Sequence, residues 1–406
     1  MLELLFLLLP IAAFYGYYMG SHSSKQEIEN NKSQHIRSFM KGINYFLSRD
    51  KERAVDALIS YYDSKVEHTF EECMTLASLF REKGELDRAI KFHKKIIEDS
   101  STTPEERSYA LLELATDFKR AGLLSNAEEI LLELITYNSQ KKRAVSSLVL
   151  LYQQEREWMK AISIVESYKK ILEGDLVVNQ GQFYCELATE HFSRANYSEA
   201  ENLFKKALAV HPKCVRAMLN LAKIEIEKKR FDKVVSYLDQ IINTDVVMSG
   251  LVVKILNKAC EAILPANEIK QRKLNILKNW LDKAMSVPIV LELCNILEDV
   301  EGLAKADEFI IRIAKSYPNI DVFSRMLKMS MVDLDAKSIE RIGIIRDLIE
   351  HYKNQTPRFV CYRCGFETKM LFWQCPGCRR WESLKPANSM GIIEKKITSN
   401  PNSESK

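Results

Sequence analysis

The sequence predicts an all-α protein: a superhelix of stacked helix pairs, preceded by one membrane-spanning helix and followed by a small metal-built module. Three observations predict it. Glycine is scarce, 13 residues in 406, which argues against turn-dense sandwiches, barrels and glycine-fingerprinted nucleotide folds. Amphipathic helical patterns recur through most of the chain, at a spacing typical of helical repeats. Four of the nine cysteines crowd into one short C-terminal stretch. The apolar fraction of 46% suffices for a folded core. With 59 basic against 55 acidic residues, global charge gives no reason to expect nucleic acid.

The first element is the segment Leu2 to Gly20, LELLFLLLPIAAFYGYYMG, whose single charge is Glu3. At about 1.5 Å per residue, Leu2 to Met19 spans roughly 27 Å, enough for a thin bilayer core. A cleaved signal peptide is the rival reading, but the segment has no basic n-region and no A-x-A-like site follows it. Tyr15, Tyr17 and Tyr18 cluster where an interfacial aromatic belt belongs. No Lys or Arg precedes the span, whereas Lys25, Lys32 and Arg37 follow it. The positive-inside rule then puts the bulk of the chain on the cytoplasmic side of the membrane. Gly16 and Gly20 form a G-x-x-x-G pair, a spacing that can join two membrane helices into a homodimer. A loose helix end explains that pair more simply.

After a linker over 21–35, residues 36–353 form the repeat array. Small or β-branched residues anchor the second helix of each unit at Ala54, Ala89, Ala127, Ala161, Ala200, Val234 and Ala306. Their intervals are 35, 38, 34, 39, 34 and 72 residues, the last being two units. A period near 34 is that of tetratricopeptide repeats. The clearest unit runs from Gln182 to Pro212, with Tyr184, Leu187 and Ala188 on its first helix and Ala200, Phe204 and Ala207 on its second. Residues Gly250 to Met285 fit the pattern poorly and read as a degenerate unit. Such arrays bind many kinds of partner on a concave face. Asn220 and Lys223, on the inner side of a first helix, are the candidate partner-binding residues, although solvated polar positions on an amphipathic helix are the plainer reading. Cys73 and Cys294 read as core thiols.

Residues 358–386 carry the chemistry, with FVCYRCGFETKMLFWQCPGCRRWESLKP running from Phe359. Its two C-x-x-C pairs supply four metal ligands, Cys361, Cys364, Cys375 and Cys378. Each pair forms a tight turn that sets two sulfurs on one ion, and four thiolates suit Zn²⁺ or a single iron. So short a stretch has no core of its own, so the metal must supply stability. Phe359, Tyr362, Phe366, Phe372, Trp373 and Trp381 are expected to form an aromatic shell. Arg358, Arg363, Lys369, Arg379, Arg380 and Lys385 face only Glu367 and Glu382. A four-thiolate site with a divalent ion is doubly negative, and compensation of that charge explains much of the excess. The sequence has no G-x-x-x-x-G-K-[ST], G-x-S-x-G or H-E-x-x-H, and it reads as a non-enzyme. Residues 387–406, rich in Ser, Asn and Lys, read as a disordered tail.

An apolar N-terminal segment, a tetratricopeptide array and a terminal CYRCGF…CPGC module together resemble the lipopolysaccharide assembly protein B (LapB) family of Gram-negative bacteria. The resemblance implies a non-enzymatic adaptor of the inner membrane that lowers lipopolysaccharide output by promoting degradation of the deacetylase LpxC by the protease FtsH. It also implies contact with lipopolysaccharide assembly proteins and a rubredoxin-like module with iron as the ion, zinc being nearly as well suited by spacing. Two departures from electron-transfer rubredoxins are a shorter gap between the cysteine pairs and Arg379 where glycine is expected after the last cysteine. Both speak against a redox role. The rival functional classes are a rubredoxin-like electron carrier and a nucleic-acid-binding zinc ribbon. The metal module is expected to stabilise the end of the array.

Overall fold

The computed structural model describes residues 50–63, 69–172, 175–331 and 335–387, together with 39–45, 47 and 48 and the single residues Tyr15, Met19 and Arg37. The predicted span over 1–20 lies outside the described residues apart from Tyr15 and Met19. The predicted linker and the tail beyond Ala387 also lie outside them. Among the described residues no helix is long and apolar enough to cross a membrane.

The chain divides into two compact units, Met1–Arg156 and Glu157–Lys406. The first contains α1 (Lys51–Asp63), α2 (Phe70–Lys83), α3 (Leu86–Glu98), α4 (Pro104–Arg120), α5 (Leu124–Leu134) and α6 (Lys141–Glu155). The second contains α7 (Trp158–Ser167), α8 (Asp175–Ser193), α9 (Tyr197–Val210), α10 (Val215–Glu227) and α11 (Phe231–Thr244), then a 3-10 turn over Val246–Met248. It continues with α12 (Ser249–Ile263), α13 (Ala266–Lys283), α14 (Val287–Glu301), α15 (Leu303–Ser316), α16 (Ile320–Ser330) and α17 (Ala336–Gln355). Three short strands close the chain: β1 (Phe359–Cys361), β2 (Glu367–Thr368) and β3 (Leu384–Pro386).

Two helices of the first unit start on capping boxes. Thr69 and Thr103 each accept from the N–H three residues on, while Glu72 and Glu106 reach back to the cap N–H. Two of the orphan donors at each of these helix starts are thereby satisfied. The turn inside a helix pair repeats one device. Gly84 and Gly122 in the first unit, and Ala195 and Lys229 in the second, all have φ between 56° and 87°. Each lies two residues before a second helix that opens on Leu86, Leu124, Tyr197 or Phe231. That left-handed residue reverses the chain into the second helix.

The small anchors are all fully buried: Ala54, Ala89, Ala127, Ala161, Ala200, Val234 and Ala306 each show 0% exposure. Small side chains there let paired helices approach closely, while Leu131, Phe204, Leu238 and Ile310 fill the layers between them. Residues Gly250 to Met285, where the repeat pattern fails, still belong to a helix pair, α12 and α13, joined through Leu264 and Pro265. Near the end of the second helix Trp280 is at 0% exposure, with its indole N–H donating to Asp239. The position equivalent to the small anchors, the fourth of the helix, holds Ile269, which is only half-buried, so the segment reads as a degenerate unit.

In the first unit a polar cluster sits inside the packing. Arg81 of α2 bonds Asp117 and, at 2.6 Å, Glu113 of α4. Nδ1 of His93, on α3, lies 2.5 Å from the other Asp117 oxygen. Asp117 and His93 are fully buried, so this cluster fixes how three successive helices fit together.

Candidate metal centre and its seat on the repeats

The strands form a three-stranded antiparallel sheet in the order β2-β1-β3, with Val360 opposite both Glu367 and Lys385. Two turns project from it, one after Cys361 and one after Cys375. They are built alike: the Gly365 N–H donates to the Cys361 carbonyl at 2.9 Å, and the Arg379 N–H to the Cys375 carbonyl at 2.8 Å. Gly365 has φ 72° and Arg379 φ 57°. Arg379 therefore adopts the left-handed conformation that glycine takes in the first turn, with the steric cost of its Cβ.

The four predicted ligands converge. The sulfurs of Cys361, Cys364, Cys375 and Cys378 all lie within 4.8 Å of one another. Cys361 to Cys378 and Cys364 to Cys375 are each 3.7 Å apart. A tetrahedron of thiolates about 2.3 Å from a central ion has edges near 3.8 Å, so the geometry fits a four-coordinate metal. Burial works against ionisation of Cys361, but the Ser383 hydroxyl and the N–H groups of Cys364 and Arg363 outweigh it and bring its pKa down to about 6. Burial pushes Cys375 up to about 12 against the N–H groups of Cys378 and Gly377. The four thiols share one site, and a bound cation would hold all of them as thiolates.

The module does not cap the end of the array. It folds back onto the repeats of the second unit, and the predicted aromatic shell divides accordingly. Phe359 and Phe366 pack around Cys361, Cys375 and Leu384, while Trp373 packs against the core of the repeats. Tyr362 and Phe372 are exposed. Trp381 leaves the metal site altogether. It meets Trp158 of α7 and Phe183 of α8 edge-on, both at 6.3 Å, where those two rings stack at 5.8 Å.

Polar contacts lock the same seat. One Glu382 oxygen accepts from Gln182 Nε2 at 2.6 Å, and the other lies 3.2 Å from His211 Nε2. Lys385 pairs with Asp245 at 2.6 Å. Gly181 makes the seat possible. A Cβ there would stand 2.8 Å from the His211 Cβ, so only glycine lets α8 and the end of α9 come close enough to share one carboxylate. Glu382 itself has φ 54°, a strained conformation for a residue with a Cβ that aims its side chain at the repeats.

Asn220 and Lys223 lie together on α10. The Asn220 amide donates to the Arg216 carbonyl at 3.0 Å, and Lys223 donates to the Asn220 side-chain oxygen at 3.1 Å. Burial, and then the charges of Lys258 and Arg216, lower the Lys223 pKa. Sequence reading missed Gln182, His211 and Asp245, because their partners lie well over a hundred residues away and leave no local spacing.

Residues 359–386 match the rubredoxin metal binding domain family, and residues 191–247 match a tetratricopeptide repeat family. Lipopolysaccharide assembly protein B of Escherichia coli strain K12 is 30% identical over 391 residues, covering 96% of this chain and 99% of that protein. The chain belongs to the lipopolysaccharide assembly protein B family. The Haemophilus influenzae protein of the same name is 30% identical over 404 residues, again covering 96% and 99%. In this family member the metal site and the helical repeats are therefore parts of one assembly, joined through Trp381, Glu382 and Lys385.

Proposed function

We propose that this chain is a non-enzymatic adaptor in the control of lipopolysaccharide assembly. The names of its relatives and the repeat scaffold support the reading. In the finer form that the family resemblance suggests, residues 1–20 anchor the chain in the inner membrane with the bulk on the cytoplasmic side. The repeats then present LpxC to FtsH. Confinement to the membrane raises the effective concentration toward a membrane protease.

The observation that carries the adaptor reading is the seat of the metal module. Its four cysteine sulfurs lie within 4.8 Å of one another, and around one ion they would complete a four-coordinate set that leaves no position for water or substrate. Its Trp381, Glu382 and Lys385 are spent on holding repeats. The module thus acts as a clamp on the repeats beneath it. Iron is the ion the resemblance suggests, and zinc suits the same sulfurs. Either would serve a clamp, because the role is structural.

Asn220 and Lys223 are the proposed partner contacts. Lys223 has two cationic neighbours and, among the described residues, donates only to an amide oxygen, so carboxylates or backbone carbonyls of a partner segment would relieve its position.

LpxC half-life tests the mechanism. In cells lacking the protein, LpxC should persist; the full chain should restore turnover, and a chain lacking residues 1–20 should not. An LpxC half-life that does not change when the protein is absent excludes the protease-adaptor mechanism. A zinc-loaded protein that fails where the iron form works through reversible reduction would favour the electron-carrier class.

A further inference from the structure

A cavity of about 210 Å³ lies where the sheet of the metal module meets the repeats. Val246, Leu251, Met285, Val287 and Phe359 give it apolar walls. Its polar lining is Lys254, Ser249, Ser286, Tyr317 and Asn319, with no carboxylate among them.

Two features of that lining point to a ligand. Ser249 and Ser286 are only 1% and 8% exposed, and their hydroxyl oxygens are 2.5 Å apart. Two hydroxyls carry two protons, and a bond between them uses one. Neither hydroxyl has another partner among the described residues. One buried donor at the cavity lining is therefore left without an acceptor among the described residues, a costly state unless something accepts from it. Lys254 is the second feature: it is exposed at the lining and has no carboxylate partner among the described residues. The starts of α12, α14 and α16 also converge here, through Ser249, Val287 and Asn319, and add partial positive charge.

We propose that this cavity binds a small anionic amphiphile: an aliphatic chain ending in a carboxylate. The chain lies against Val246, Leu251, Met285 and Phe359, and the carboxylate accepts from Lys254 and the spare serine hydroxyl. The volume equals roughly seven waters' share of liquid, comparable to the seven-carbon chain of octanoate with its carboxylate at the mouth. A peptide fits less well. Its backbone N–H groups need acceptors, and the Asn319 side-chain oxygen is already spent on the Asp321 N–H at 2.8 Å. Phe359 and Pro386 belong to the module while the other walls belong to the repeats, so an occupant bridges the two and tightens the clamp.

Calorimetric titration of the metal-loaded full chain with octanoate tests this, with 1-octanol and a short apolar peptide bearing a free C-terminal carboxylate as comparison probes. Octanoate should saturate one site and raise the thermal midpoint. Lys254→Ala should weaken octanoate roughly fivefold and leave octanol unchanged. Gly250→Leu should abolish binding, because a Cβ at Gly250 sits at an ordinary 3.6 Å from Pro288 and the remaining atoms enter the cavity. Leu251→Trp should also abolish it, and circular dichroism and metal content should show that each variant folds. The proposal is overturned by the absence of saturation, by octanoate binding that survives both blocking variants, by octanol binding equally well with no Lys254 effect, or by the peptide binding more tightly than octanoate.

Discussion

Glu382 of the metal module and His211 at the end of α9 are 171 residues apart in sequence, yet their Oε2 and Nε2 atoms lie 3.2 Å apart. The second Glu382 oxygen takes Gln182 of α8, so one carboxylate ties the module to two consecutive helices. Removing it leaves the buried Gln182 amide with only the Cys214 sulfur as acceptor, and strands the half-buried His211 ring. Glu382→Ala should destabilise the second unit by about 1–3 kcal/mol, read as a fall in its urea midpoint. Trp381→Ala should cost more, about 3 kcal/mol, because a large ring leaves a gap between Trp158 and Phe183. An unchanged midpoint in both variants would show that the seat contributes nothing to stability.

Arg379 holds a left-handed backbone at φ 57°, where its side chain adds strain. Arg379→Gly should therefore stabilise the metal-loaded module, by about 1 kcal/mol, because the turn keeps its Cys375 carbonyl bond. Competition with a chelator gives the measure: the glycine variant should release its ion no faster than the parent. Faster release would mean that the arginine side chain itself supports the site.

Much of the array was legible in the sequence because stacking imposes one residue size at one phase. Ala54 through Ala306 fall on fully buried positions for that reason. The metal ligands were legible too, since two tight turns must each present two sulfurs at fixed spacing. The module's placement was not. Trp381 reads in sequence as part of a local aromatic shell, and only the fold shows it between Trp158 and Phe183. The α12–α13 pair was obscured because its anchor position, Ile269, is only half-buried.

In the first unit, Asp117→Ala should be severe. It leaves the Arg81 charge and His93 buried without their shared carboxylate. Loss of one partner from a buried ion pair costs about 3–5 kcal/mol. Urea unfolding followed by a probe in the first unit should show that loss, whereas Arg120→Ala, at an exposed pair with Glu82, should change the midpoint by about 0.5 kcal/mol or less.

Glu201 supplies an acid-sensitive contribution in the second unit. Hydrogen bonds from Lys205 and Lys228 lower its pKa from the ordinary 4.5 to about 2. A carboxylate depressed on folding stabilises fully above its unfolded value, and that stability is lost as pH falls through the folded one. The stability of the second unit should therefore drop between about pH 4.5 and 2. Glu201→Gln should flatten that part of the profile; an identical slope in parent and variant would contradict the assignment.

Hydrogen–deuterium exchange on the full chain, with the metal bound and after its removal by a chelator, tests the central claim that the metal builds a clamp on the repeats. Metal loss should raise exchange in residues 359–386 and also in the seat around Phe183, His211 and Asp245, while α2 to α4 in the first unit keep their protection. Unchanged protection at Phe183 and His211 once the ion is gone would contradict it, because the repeats would then hold their packing without the module.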